Sequence, residues 1–219
     1  MCGRYKLSAK HRDVQKHFDI IDAGFDFEPS EEIFPGTDIL AVDRERHAAK
    51  VLWTIEDCDN RGITRKVINA KSETISFVQM FKDAFKEGRV LLPATGFYEW
   101  KDLPNRTKEK YVFEMDEPLF AFAGIARECD VKGERRNCGV ILTTEANETV
   151  RPIHAKNRMP VIIHKYDYEK WLDPETSFEE LRRMMRPIAA DEIAAKPVDP
   201  VPPLQGGLFV GHDLDGVDG

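Results

Sequence analysis

None of the 4 cysteines (Cys2, Cys58, Cys129 and Cys138) is paired at CxxC spacing, so neither a dithiol redox motif nor a cysteine-rich zinc site is written into the chain. The N-terminus has no apolar h-region. It therefore reads as a chain that is not exported, whose thiols are expected to be reduced. No apolar run approaches the roughly 18 residues of a spanning helix, which excludes a helical membrane protein. Positive charge is not in excess either. The formal net charge of −7 argues against a protein that coats nucleic acid by general basicity. The strand-helix alternation of a parallel βαβ fold is also missing, and no internal repeat is evident. A cytoplasmic location is the resulting expectation.

What is present suits one soluble domain: 219 residues, 42% hydrophobic and 32% charged. Charge is unevenly spread. Residues 19 to 32 carry Asp19, Asp22, Asp26, Glu28, Glu31 and Glu32 with no Lys or Arg, whereas residues 61 to 71 carry Arg61, Arg65, Lys66 and Lys71 with no acid. A second positive stretch runs from Arg151 through His154, Lys156, Arg158 and His164 to Lys165. Solvated faces explain such patches; a local phosphate-binding strip on an acidic body is the alternative.

Patterning predicts a short helix ending at Phe18 with Ser8 as N-cap. A second is predicted over residues 76 to 87, with Phe77, Phe81, Ala84 and Phe85 on its core face and Gly88 as its stop. A third covers residues 177 to 186, capped by Ser177, with Phe178, Leu181 and Met185 inward. Between the last two lie strand-like runs: "RVLLPA", "GFYEW", "KYVFEM", "LFAFAGIA", "CGVILTT" and "RMPVII". The expected class is α+β: a single domain over residues 1 to 196, its mainly antiparallel, barrel-like β core flanked by a few helices. The Pro/Gly/Asp-rich residues 197 to 219 are expected to form a tail.

The start of the chain, "MCGRY", carries unusual chemistry. Met1 precedes a small side chain, so an aminopeptidase is expected to remove it and leave Cys2 with a free amine beside its thiol. Such a 1,2-aminothiol traps aldehydes: the amine forms an imine, and the sulfur closes a thiazolidine ring. Other polar residues are ambiguous singly. Glu99 interrupts the aromatic run "GFYEW", where a carboxylate needs a cleft or a partner. His154 precedes an apolar strand, where a lone histidine is commonly structural. Asn69 in "VINAKSET" fits a turn former.

In chain order, however, "MCGRY", "INAKSET", "LLPATGFYEW", "FAFAGIA", "ILTTEAN" and "IH…RMPVI" closely resemble the SOS response-associated peptidase (SRAP) family, over roughly three quarters of the chain. Members of that family trap abasic sites in single-stranded DNA covalently. The resemblance implies Cys2 as the crosslinking residue, Asn69 and Glu99 as active-site groups, and His154 as a proton-transfer and phosphate-contacting residue. Arg4 matches a DNA-contacting arginine. Lys71 stands where relatives commonly carry arginine, and Glu32 where they commonly carry asparagine. Phosphate partners are then expected among Arg4, Lys71, Arg151 and Arg158, and candidate stacking surfaces are Trp53, Tyr98 and Trp100. No cofactor and no metal is expected. The expected partner is single-stranded DNA bearing abasic sites, with nucleoid association on damaged DNA, no membrane, and a monomeric protein. Thiol autopeptidase activity, or an N-terminal-nucleophile amidohydrolase using Cys2, is the competing reading.

Overall fold

In a computed structural model of the protein, residues 2–21, 27–58, 64–104 and 106–198 are described. Strand β1 (Tyr5–Leu7) leads to helix α1 (His11–Phe18), followed by β2 (Ser30–Ile33), β3 (Asp38–Val42), β4 (Ala48–Trp53), β5 (Ile55–Cys58), β6 (Thr64–Val67) and β7 (Asn69–Lys71). Helix α2 (Gln79–Glu87) precedes β8 (Arg89–Ala94), β9 (Gly96–Asp102), β10 (Lys108–Met115), β11 (Phe120–Val131) and β12 (Glu134–Glu145). The chain continues through β13 (Arg158–Pro160), β14 (Ile162–Ile163), α3 (Tyr168–Leu172), α4 (Phe178–Met184) and β15 (Ile193–Pro197).

Pairing from β12 to β4, β3, β8 and β11 returns to β12 and closes a barrel of 5 strands. Within the ring only the β12–β4 contact is parallel; β7 also joins β12 in parallel. Strand β8 is buried at every position, as expected of a strand walled on both faces. Helix α2 stops at Gly88, where an added Cβ would lie 2.1 Å from the Ala126 carbonyl oxygen. Only glycine lets the helix end pressed against β11.

A second, wholly antiparallel sheet, ordered β15-β10-β9-β1-β2, lies on the barrel. Aromatic rings make the seam: Phe97 stacks on Phe113 at 4.8 Å and meets Phe122 of the barrel edge-on at 6.1 Å. Tyr5 contacts Trp53 at 5.3 Å and Phe122 at 5.6 Å. This arrangement is the α+β, barrel-like architecture expected from the sequence.

Several local expectations are corrected. Ser8 does not cap α1; its hydroxyl and backbone N–H bond Thr95 instead, tying β1 to the turn between β8 and β9, and the helix starts at His11. Helix α2 starts at Gln79, so Phe77 falls outside its apolar stripe and is 69% exposed. Ser177 does cap α4 by accepting from the Glu180 N–H, and Leu181 and Met185 are buried, but Phe178 is 49% exposed. The run "RMPVII" divides: Arg158–Pro160 pairs with β12, while Ile162–Ile163 crosses to β11. Residues 199 to 219, most of the expected tail, lie outside the described residues, as does Arg61. Among the described residues no helix is long and apolar enough to cross a membrane.

Candidate active site at the sheet-barrel seam

Period-two geometry decides where the carboxylate goes. Phe97 packs into the seam, so Glu99, two residues further along β9, faces the same way and is buried. Strand β1 lies against β9 with Tyr5 opposite Phe97, and the Tyr98 N–H donates to the Arg4 carbonyl at 2.9 Å. That pairing brings Cys2 beside Glu99. Cys2 is completely buried, and its thiol donates to the Arg4 carbonyl oxygen at 3.7 Å. Burial raises the thiol pKa far above the usual range, and the charge of Glu99 raises it further.

His154 enters from the turn before β13. Its Nε2 lies 3.5 Å from Glu99 Oε2, and its Nδ1 lies 2.6 Å from the Arg158 carbonyl oxygen. A carbonyl can only accept, so Nδ1 carries the hydrogen, and in the neutral ring Nε2 presents its lone pair to Glu99. Burial moves the two groups in opposite directions: Glu99 is pushed up to about 8, and His154 is pushed down. Both shifts favour the uncharged pair. Near pH 7 Glu99 therefore holds a proton, as a general acid must.

Asn69 opens β7, opposite Ile141 of β12, and its Nδ2 donates weakly to the Ile141 carbonyl at 3.5 Å. Its Oδ1, like Glu99 Oε1 and the Tyr5 hydroxyl, is buried with no partner among the described residues. Unpaired buried polar atoms are costly, and two of the three, on Glu99 and Tyr5, interact electrostatically with Cys2, a mark of a site built to contact something polar. Asn69 connects to the β1 side through its neighbour: the Ile68 carbonyl accepts from Trp53 Nε1 at 2.9 Å, and Trp53 packs on Tyr5.

The expected nucleic-acid contacts divide. Arg4 donates from Nη1 to Glu32 at 3.0 Å and lies between Phe34 and Trp100. Lys71 is exposed at the end of β7. Arg151 is exposed but donates to Asn157 Oδ1 and to the Ala146 carbonyl, both at 3.2 Å. Arg158 is gripped in a fork by Glu73 at 2.5 and 2.9 Å, so it acts first as a rivet between β13 and the turn after β7.

Two stacking surfaces are corrected. Trp53 is completely buried and offers no face to a base. Tyr98 is buried as well: its hydroxyl donates to the Glu31 carbonyl at 2.8 Å, and the Lys110 ammonium sits 4.1 Å over its ring. Only Trp100 stays half-buried. Trp53→Ala is accordingly expected to cost about 3–5 kcal/mol of stability in denaturant titration, the loss typical of a large core aromatic.

Sequence reasoning missed Phe34, which is 42% exposed and covers one face of Arg4, and Lys110, which register places opposite Trp100. Neither has a local signal, because Phe34 meets Arg4, and Lys110 meets Glu32, only across the folded sheet. Among the described residues no group of three or more His, Cys, Asp or Glu is arranged to hold a metal.

Comparison with known proteins finds relatives over most of the chain. The family described as SOS response associated peptidase (SRAP) matches residues 1–201. The abasic site processing protein YoaM of Bacillus subtilis is 35% identical over 207 residues, covering 89% of each chain. The abasic site processing protein YoqW of the same organism is 31% identical over 206 residues, covering 89% of this chain and 91% of its own. A crystal structure of a protein from Bacteroides thetaiotaomicron superposes with a TM-score of 0.80 at 22% identity, covering 90% of this chain and 92% of that one.

Proposed function

The chain belongs to the SOS response associated peptidase family, and on that premise we propose that it processes abasic sites in single-stranded DNA, capturing them covalently through Cys2 once Met1 has been removed. One observation carries this reading: Cys2 is buried beside a carboxyl that burial keeps protonated near pH 7 and that faces the lone pair of a neutral imidazole. The names of the relatives YoaM and YoqW support the substrate.

An abasic deoxyribose offers an aldehyde only in its open form, and ring opening needs proton transfer, which His154 and Glu99 supply. Such assistance is typically worth about 10²- to 10⁴-fold. The α-amine of Cys2, with an ordinary pKa of about 7.7–8.0 against about 10.4 for lysine, keeps a neutral fraction of roughly a tenth at pH 7, far more than a lysine does, and that fraction attacks the aldehyde. In the resulting carbinolamine, Glu99 protonates the hydroxyl, water leaves, and an iminium remains. The Glu99 carboxylate then takes the thiol proton as sulfur adds to the iminium carbon. The ring closes as a neutral thiazolidine, and Glu99 regains the proton it gave. Asn69 accepts from the amine or the opened sugar through Oδ1, a role supported by that atom being buried without a partner among the described residues.

The peptidase reading fits less well. A thiol whose pKa is raised both by burial and by Glu99 is a poor thiolate nucleophile for an amide. In the proposed route the thiol ionises only after Glu99 has become a base beside an iminium.

The test incubates Met1-free protein with a single-stranded oligonucleotide carrying one abasic site, followed by a denaturing gel and mass spectrometry. A stable adduct on the N-terminal peptide is expected, and its absence would remove the proposal. Asn69→Ala is expected to slow adduct formation at saturating DNA by about tenfold or more, the loss of one hydrogen bond to a polar reacting group. A rate equal to wild type would remove Asn69 from the mechanism.

A further inference from the structure

The opposite face of β9 carries a second arrangement that the capture chemistry does not use. Glu32 Oε2 accepts from Arg4 Nη1 at 3.0 Å, while its Oε1 pairs with the Lys110 ammonium. One carboxylate thus serves two cations. Although burial acts to raise it, Lys110 and Arg4 hold the Glu32 carboxyl below its ordinary range, so it is charged at neutral pH. The Arg4 guanidinium lies 4.1 Å from the Phe34 ring centre and 5.1 Å from that of Trp100, and Lys110 rests on Tyr98. Both cations are therefore held in place by ring faces as well as by Glu32. Glu32 uses only part of the Arg4 fork: Arg4 Nε is buried and meets no acceptor among the described residues.

A phosphodiester has the same charge as Glu32 and also presents two oxygens, which suits a fork and an ammonium together. A carboxylate and a phosphate cannot share the two cations without like-charge repulsion, so one must leave when the other arrives. We propose that Arg4 and Lys110 form a phosphodiester subsite that Glu32 occupies in the free protein, and that Glu32 acts as a built-in competitor weakening the hold on undamaged single strands. The proposal rests on the reading that single-stranded DNA is the substrate. Its consequence is a division of labour: contact with intact DNA is brief, and long residence depends on the covalent bond at an abasic site.

The test measures binding of the full, Met1-free chain to a fluorescent oligothymidylate with no abasic site, by anisotropy over a series of salt concentrations. Glu32→Gln keeps the shape and removes the charge. It is expected to tighten binding roughly tenfold, the combined worth of two partly exposed ion pairs, and to steepen the salt dependence as two unmasked cations release counterions. Glu32→Ala, which cannot substitute a new hydrogen bond, is expected to move in the same direction. Lys110→Gln should weaken binding, and in its background the gain from Glu32→Gln should shrink to about threefold or less. Unchanged or weaker binding by both Glu32 variants, or an equal gain with and without Lys110, overturns the proposal. Failure of the capture reading is seen separately: wild type would then give no adduct with abasic DNA while Glu32→Gln still tightened on intact DNA.

Discussion

Cys2→Ala is expected to abolish the stable adduct with abasic single-stranded DNA while leaving a trappable one. Alanine keeps the α-amine, so an imine still forms, but with no sulfur at position 2 the ring cannot close and the imine hydrolyses during denaturing electrophoresis. Adding borohydride during the reaction should therefore restore a band to the variant and leave the wild-type band little changed. Cys2→Ser should follow alanine, since its oxygen ring reopens more readily. The outcome is clean because the other cysteines, Cys58, Cys129 and Cys138, lie far from the chain start and cannot supply an aminothiol. An unreduced band as strong as that of wild type would mean that sulfur takes no part in the linkage. A band missing even with reductant would mean that the amine is not the nucleophile.

Glu99→Gln is expected to affect rate and stability in opposite senses. Loss of the acid should slow adduct formation by about 10²- to 10⁴-fold. For stability the sign follows from proton counts. The ordinary pKa of 4.5 applies to the unfolded chain, and burial pushes the folded value up to about 8. Below 4.5 both states hold the proton and Glu99 costs nothing. Between the two values the unfolded chain has lost it while the fold retains it, so wild-type stability falls as pH rises and levels off above about 8. The full loss is roughly 5 kcal/mol. Glutamine does not titrate. The variant should thus gain about that much on wild type between pH 4 and pH 9 in urea titrations, and a difference independent of pH would refute the buried, protonated Glu99. The wild-type rate should also decline above about pH 8 as the acid is lost.

Much of the fold was legible locally. The runs around Leu91, Phe122 and Ile141 are apolar and rich in strand formers, and each became a barrel strand. Ser177 and Gly88 punctuate helices because capping and close backbone approach are short-range requirements. Ser8 misled because a distant hydroxyl, on Thr95, competes for the same groups that would cap α1. Trp53 and Tyr98 misled because an aromatic residue suits a stacking surface and a packed seam equally, and only neighbours in space distinguish the two.

The sequence by itself determined the candidate for the reacting group: a cysteine at position 2 can become an aminothiol whatever the chain does afterwards, since that chemistry is covalent and local. It also determined the strand-rich character, because an apolar run rich in strand formers is a property of adjacent residues. The tertiary structure alone decided that Glu99 keeps a proton, that His154 turns its lone pair toward it, and that Glu32 stands between Arg4 and Lys110. Protonation and charge pairing depend on desolvation and on distances between strands far apart in sequence, and these quantities come into being only when the second sheet closes over the barrel.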